Sequence, residues 1–335
     1  MRLSVLDQSP VRKGSTAEEA LKETVLLAKL ADDLGYTRFW VSEHHNTTML
    51  AGTSPEILMT HLAGQTKEIR IGSGGVMLPH YSALKVAENF RMMETLFPGR
   101  IDLGVGRAPG GDRLTAAVLN PGNNFSEEDF VRQLFDLQNY LNDQYEPGSV
   151  QEKVKAMPVA PSVPQQWILS SSGQSRLFAA HFGMGFSFAH FINPVGGAKA
   201  VSLYKQRFQP SPNLELPEAN MAIFYFCAEE DEKVAQQQAV MDHRFLQFEK
   251  GIFEAVTYDE IKDNTYSAYE QERIEINRQR TVIGNKEVVE KRLSDLSVDY
   301  GVDEILLVNI ASDLEERLRS YQLAADIFGL QKRAK

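Results

Sequence analysis

The chain of 335 residues carries a single cysteine, Cys227. That excludes an internal disulfide framework and any metal centre built on a cluster of thiolates. No stretch approaches the ~20 consecutive apolar residues that span a bilayer. Basic residues are in deficit, 35 against 45 acidic ones, so the net charge is −10. Nothing in that balance draws the whole molecule to nucleic acid or to an anionic membrane, although a local basic pocket is compatible with it. The sequence has no GxGxxG after its first apolar segment and no GxxxxGK[ST], the patterns that cradle dinucleotides and nucleoside triphosphates. It also lacks a His-x-His pair on one strand face, so no metal is expected. At the start, Asp7 arrives before a signal-peptide core develops, and a cytoplasmic protein is expected. Apolar residues make up 43% of the chain, enough for a large core.

What is present is a rhythm. Short apolar strand candidates (3–7, 38–42, 69–77, 101–106, 167–170, 186–189, 221–228 and 304–309) alternate with amphipathic helix candidates (17–34, 54–66, 82–97, 126–141, 172–181, 194–208, 231–250, 286–300 and 313–328). Ser54 with Pro55 and Ser126 with Asp129 mark helix starts, and Gly35 marks a helix end. About eight β-then-α units predict parallel strands joined by crossover helices. At this length, a closed (β/α)8 TIM barrel of one domain, 1–335, is favoured over an open sheet. Two stretches break the rhythm. Residues 146–164 are expected to wander, and 252–280 reads as a partly helical insertion between barrel strands 7 and 8, placed to act as a lid.

In a parallel barrel, residues just beyond each strand form the active-site mouth. Glu43-His44-His45-Asn46 is the most chemically loaded of these segments. Its consecutive residues cannot all face one point, so one histidine is expected to serve as acid/base or orienting group. Glu43 is expected to pair with a histidine and hold the loop. Arg107 follows Gly104-Val105-Gly106 and suits a phosphate or carboxylate, or else pairs with Asp112. The run Ser170-Ser171-Ser172-Gly173-Gln174-Ser175 lies where a strand passes into a helix, so with Arg107 it suggests a phosphate clamp. Gly72-Ser73-Gly74-Gly75 admits an irregular strand, unusual peptide geometry or the approach of a flat ligand. His61, His181 and His243 are read as structural or solvated, His80 as a possible ligand contact, and Cys227 as core.

The ordered motifs 40–46, 70–80, 87–88 with 98–110, and the serine exit before Phe178-Ala179-Ala180 resemble the bacterial luciferase-like flavin-dependent monooxygenases. The likeness is to the alkanal-type branch of unassigned substrate, densest over 1–130. It implies a (β/α)8 barrel with non-covalent FMN at its mouth. Arg107, Ser171, Ser172 and Ser175 match the positions that hold the FMN phosphate, and Ser171 stands where other members carry an acidic residue. Gly74-Gly75 matches a non-proline cis peptide beneath the flavin ring, and His44 matches the catalytic histidine. The cysteine that some luciferases place beside the flavin corresponds to Gly106. The resemblance further implies oxygenation of a small organic substrate (an aldehyde, alkane or sulfur compound) by reduced FMN and O₂. A separate NAD(P)H-dependent flavin reductase would supply the cofactor, and the chain would form a homodimer. Competing expectations are a deazaflavin-dependent hydride-transfer enzyme on the same barrel, a flavin-binding protein without turnover, and a phosphate-binding isomerase or aldolase barrel.

Overall fold

The computed structural model describes residues 1–108, 110–123 and 125–332. Pro109 of the 98–110 motif lies outside them. Among the described residues ten strands make one sheet: β1 (Arg2–Asp7), β2 (Arg38–Val41), β3 (Arg70–Ser73), β4 (Val76–Met77), β5 (Ile101–Gly106), β6 (Gln165–Ser170), β7 (Gly185–Ala189), β8 (Ala219–Cys227), β9 (Thr281–Gly284) and β10 (Glu304–Val308). Every pairing between them is parallel. The path β10-β1-β2-β3-β5-β6-β7-β8 closes on itself because β10 also pairs with β8. The result is the expected eight-stranded barrel.

Two details depart from the expected strands. The segment 69–77 is divided into β3 and β4, and at the break stands the cis peptide between Gly74 and Gly75 that the resemblance implies. β9 was not foreseen; it pairs with the far half of β8, from Phe224 opposite Thr281 to Cys227 opposite Gly284. Helices also differ. Of the helix expected over 172–181, residues 172–175 are not helical, and the helix after β6 spans only Arg176–His181. Short helices at Arg113–Leu119 and Val150–Lys153 occupy stretches that show no apolar period.

Alternation along the strands sorts two layers. Leu3, Val5, Phe39, Val41, Ile101, Leu103, Ile305 and Leu307 pack outward in the core between barrel and helices. Leu6, Trp40, Trp167, Leu306 and Val308 form a second cluster with Phe191, Phe224 and Phe245. Trp40 and Trp167 meet edge to face, 5.4 Å between centroids. Their size dictates glycine opposite each: a Cβ at Gly72 would stand 2.5 Å from the Trp40 ring, and one at Gly185 2.5 Å from Trp167.

Toward the strand N-termini the same alternation places buried charge. Arg38 Nε donates to Glu304 at 2.9 Å and its Nη1 to Asp102 at 2.9 Å and Gln165 at 2.9 Å. Asp102 also accepts from Arg70 and from Trp40 Nε1 at 3.0 Å, and Glu304 from Ser4 Oγ at 2.6 Å. These contacts tie together β1, β2, β3, β5, β6 and β10.

On the outside, Met59, Ala63 and Met93 point into the core. Ile57 and Met92, on the helices after β2 and β3, are exposed. No helix among the described residues is long and apolar enough to cross a membrane.

Removing Asp102 leaves Arg38, Arg70 and the Trp40 indole short of an acceptor inside the barrel. Loss of one partner in a buried ionic cluster costs about 3–5 kcal/mol. Asp102→Ala should therefore lower stability by that amount in urea unfolding. A loss below ~1 kcal/mol would show that the cluster relaxes without it.

Candidate active site

The strand C-termini open on a cavity of about 770 Å³, within the range usual for small-molecule sites. Its walls come from several exits: Gln8 after β1, His44–Leu50 after β2, Gly110–Asp112 after β5, Phe191 and Ile192 after β7, and Ile310 after β10. Phe224 of β8 and Arg244 and Phe248 of the helix Asp231–Glu249 line it as well. From the insertion come Phe253 and Arg280.

The loop after β2 is fixed by backbone bonds on both sides. His44 N donates to Gly52 O at 2.9 Å, and His45 N to Gly110 O at 3.0 Å. Asn46 Nδ2 reaches Asp112 at 3.0 Å. Asp112 is thereby engaged with Asn46 and Thr115, and Arg107 pairs instead with Glu127 at 3.1 Å. The alternative pairing of Arg107 with Asp112 does not form.

Glu43 is fully buried and works as the hub of this loop. It accepts from His45 Nε2 at 2.7 Å, Met77 N at 2.8 Å and Tyr81 Oη at 2.7 Å. The expected pairing of Glu43 with a histidine is present, and the partner is His45. His80, buried in the turn Leu78–His80, lies edge-on to His45 and Phe125 and does not line the cavity.

Both histidines border the cavity, and His44 is the one not engaged with Glu43. Its Nδ1 lies 3.1 Å from Ser42 Oγ. Burial, with His45 beside it, pulls its pKa from 6.5 down to about 4. The imidazole is therefore neutral across the physiological range. It serves as a hydrogen-bonding group that resists protonation, which differs from a switch poised near neutrality.

Arg107, Ser171, Ser172 and Ser175 gather at neighbouring exits. β5 and β6 pair with Val105 opposite Ile168, and that register carried on sets Arg107 beside Ser170. Ser175 is buried, Ser171 half-buried and Ser172 exposed. None of the three hydroxyls has a hydrogen-bond partner among the described residues, and Ser175 makes no side-chain cap to the helix that follows. A cationic fork beside free hydroxyls is what a phosphate requires. These residues do not line the 770 Å³ cavity, so His44 and the phosphate-type group are separate parts of one mouth.

Gly74 and Gly75 are explained by close packing. A Cβ on Gly74 would stand 2.5 Å from Leu6, and one on Gly75 2.7 Å from Gly104 O.

Sequence reading missed Arg244, Arg280 and the aromatic wall. A signal existed for Arg244: it interrupts the buried stripe formed by Val240, Met241 and Phe245. The insertion's helix Ala268–Arg278 is joined to Asp231–Glu249 through Arg273–Glu249 and Arg278–Asp242.

The model of the luciferase-like monooxygenase family matches residues 1–322. The uncharacterized protein YwcH of Bacillus subtilis is 50% identical over 328 residues, covering 97% of this chain and 98% of the relative. An N-acetyl-S-alkylcysteine monooxygenase of the same organism is 34% identical over 339 residues, 99% of this chain and all of the relative. The solved structure of apo-MsnO8 superposes with a TM-score of 0.89 at 35% identity, covering 99% of both chains. FMN-dependent monooxygenases share this fold with F420-dependent enzymes. Matched from end to end by the family and by relatives of these identities, the chain belongs to the luciferase-like monooxygenases.

Proposed function

We propose that the protein is an FMN-dependent monooxygenase, a reading carried by the free hydroxyls of Ser171, Ser172 and Ser175 at the exit beside Arg107. When bound and reduced, FMN would supply the reaction with O₂ that transfers one oxygen atom to an organic substrate. The residues present fit this group. Arg107 and the three serines would hold its phosphate, Arg107 exchanging the weak, half-exposed pair with Glu127 for a charge-assisted contact. Gly74 and Gly75, at the break in the third barrel strand, fall where the flat ring would lie.

The chain's own residues supply the rest. Phe191, Phe224, Phe248 and Phe253 give the cavity an apolar wall. His44, held neutral and oriented by Ser42, would donate or accept a hydrogen bond at the reacting oxygen. Glu43 keeps His45 and the Met77 backbone in register, which fixes where His44 points. Among an aldehyde, an alkane and a sulfur compound as substrate, the relative named for N-acetyl-S-alkylcysteine supports the sulfur compound. Reduced FMN would come from a separate NAD(P)H-dependent reductase. Exposed Ile57 and Met92 support a homodimer through the helices after β2 and β3.

Two outcomes test this reading. Arg107→Ala should weaken FMN by about ten- to a hundredfold, matching ~1.5–3 kcal/mol for a charge-assisted contact, and leave riboflavin nearly unchanged in calorimetry. Equal losses for both ligands would remove the phosphate assignment. His44→Ala should preserve FMN affinity and lower oxygenated product per reduced FMN by a factor of ~10² or more, with hydrogen peroxide formed instead. That His44-dependent part should not titrate between about pH 5 and 8, since its imidazole titrates near 4. His45→Ala should instead lower the melting temperature, because Glu43 loses a buried partner. The reverse pattern would exchange the two roles.

A further inference from the structure

Among the described residues, the arginines buried most deeply are Arg38, Arg91, Arg244 and Arg317. Three of them are matched to carboxylates: Arg38 to Asp102 and Glu304, Arg91 to Asp143, and Arg317 to Asp7. Arg244 is not. Only 8% exposed, it has no ion pair, its Nε has no hydrogen-bond partner, and its Nη1 reaches only the Ile310 carbonyl at 3.5 Å. The nearest aromatic face, that of Phe248, is 5.8 Å away. A chain with ten more acids than bases has no shortage of carboxylates to place there. A buried charge without a partner is costly and persists where something else meets it.

Arg280, half-buried and with the Glu249 carboxylate acting on it electrostatically, faces the same cavity. Its Nε donates to Phe191 O at 2.8 Å and its Nη1 to Asn277 Oδ1 at 3.2 Å, both neutral acceptors, and its guanidinium lies 4.3 Å over the Phe245 ring. Burial lowers the pKa of both arginines, that of Arg244 to about 10, so both remain cationic at neutral pH. The carboxylate that lines this cavity, Asp112, is taken up by Asn46 and Thr115. Around the two cations the wall is apolar: Phe191, Phe224, Phe248, Phe253 and Ile310.

We propose that Arg244, with Arg280 on the same cavity, is a specificity determinant that anchors the carboxylate of the organic substrate, so that the site takes an anionic molecule with an apolar body. This deepens the monooxygenase reading and rests on it for the word substrate. The binding itself does not. Arg107 and the serine hydroxyls lie outside this cavity, which separates the proposed anchor from the phosphate of the cofactor. A planar guanidinium recognises a carboxylate through two parallel N–H donors, and the aromatic wall leaves the rest of the ligand to hydrophobic contact.

The test is calorimetric binding of octanoate and octanamide, equal in shape and different in charge, to the full-length protein and to Arg244→Met and Arg280→Met. Wild type should bind octanoate about tenfold or more tighter than octanamide. Arg244→Met should abolish that preference without weakening octanamide, and should raise the melting temperature of the ligand-free protein, because an uncompensated buried charge is gone. Arg280→Met should reduce the preference in part, and it decides the matter if Arg244→Met does not fold. Equal affinities for the two probes on wild type, or no binding of octanoate at millimolar concentration, would overturn the proposal. So would an Arg244→Met variant that loses FMN and keeps octanoate, which would give the arginine to the cofactor's phosphate. If octanoate prefers wild type while FMN does not bind at all, the anion site stands and the monooxygenase reading falls.

Discussion

A layer of buried charge at the strand N-termini sets what the rest of the barrel does. Arg38 reaches Asp102, Glu304 and Gln165 at once, and these residues belong to strands distributed around the barrel. Such a cluster is stable only when every member has its partners. It therefore fixes the mutual register of the strands more sharply than apolar packing would. Above it, Trp40 and Trp167 fill the next level, and Trp40 gives its indole N–H to Asp102. With one end filled by charge and the middle by indoles, the remaining volume lies at the other end. Ligand chemistry is confined to the mouth.

At the mouth, the same rule is applied twice with opposite results. Glu43 is a buried acid whose acceptors are met by His45, Tyr81 and the Met77 amide, and it holds the loop that carries His44. Arg244 is a buried base left without an acid. The first arrangement makes geometry and the second makes demand for an anion. Between them lies an aromatic surface. Arg107 and its serines stand at a neighbouring exit, which on the proposed reading would give one mouth separate places for a cofactor's charge and for a substrate's.

The barrel was legible because strands buried on both faces read as apolar runs and the helices between them as amphipathic. The segment 69–77 reads as one strand, since periodicity does not register a peptide turned over at Gly74-Gly75. The helix over 172–181 is read to start among the serines because serine is a good N-cap, and the structure begins that helix only after Ser175. Arg107 and Asp112 are close in sequence, yet Asn46 claims Asp112 from a loop more than sixty residues away. Local spacing carries no information about such a competitor. Arg244 escaped notice for a similar reason. Its place on an apolar stripe is visible, and that the stripe borders a cavity with no facing carboxylate is a property of the closed barrel.

The fold houses both FMN and F420 chemistry, so the cofactor is the point on which the proposed function turns. A competition titration, with FMN and F420 offered together and followed by fluorescence, reads it directly. The account predicts one FMN per chain, displacing F420 with an affinity at least about tenfold greater. F420 held at the mouth and not displaced by FMN would contradict it, and would make the protein a hydride-transfer enzyme built on the same barrel.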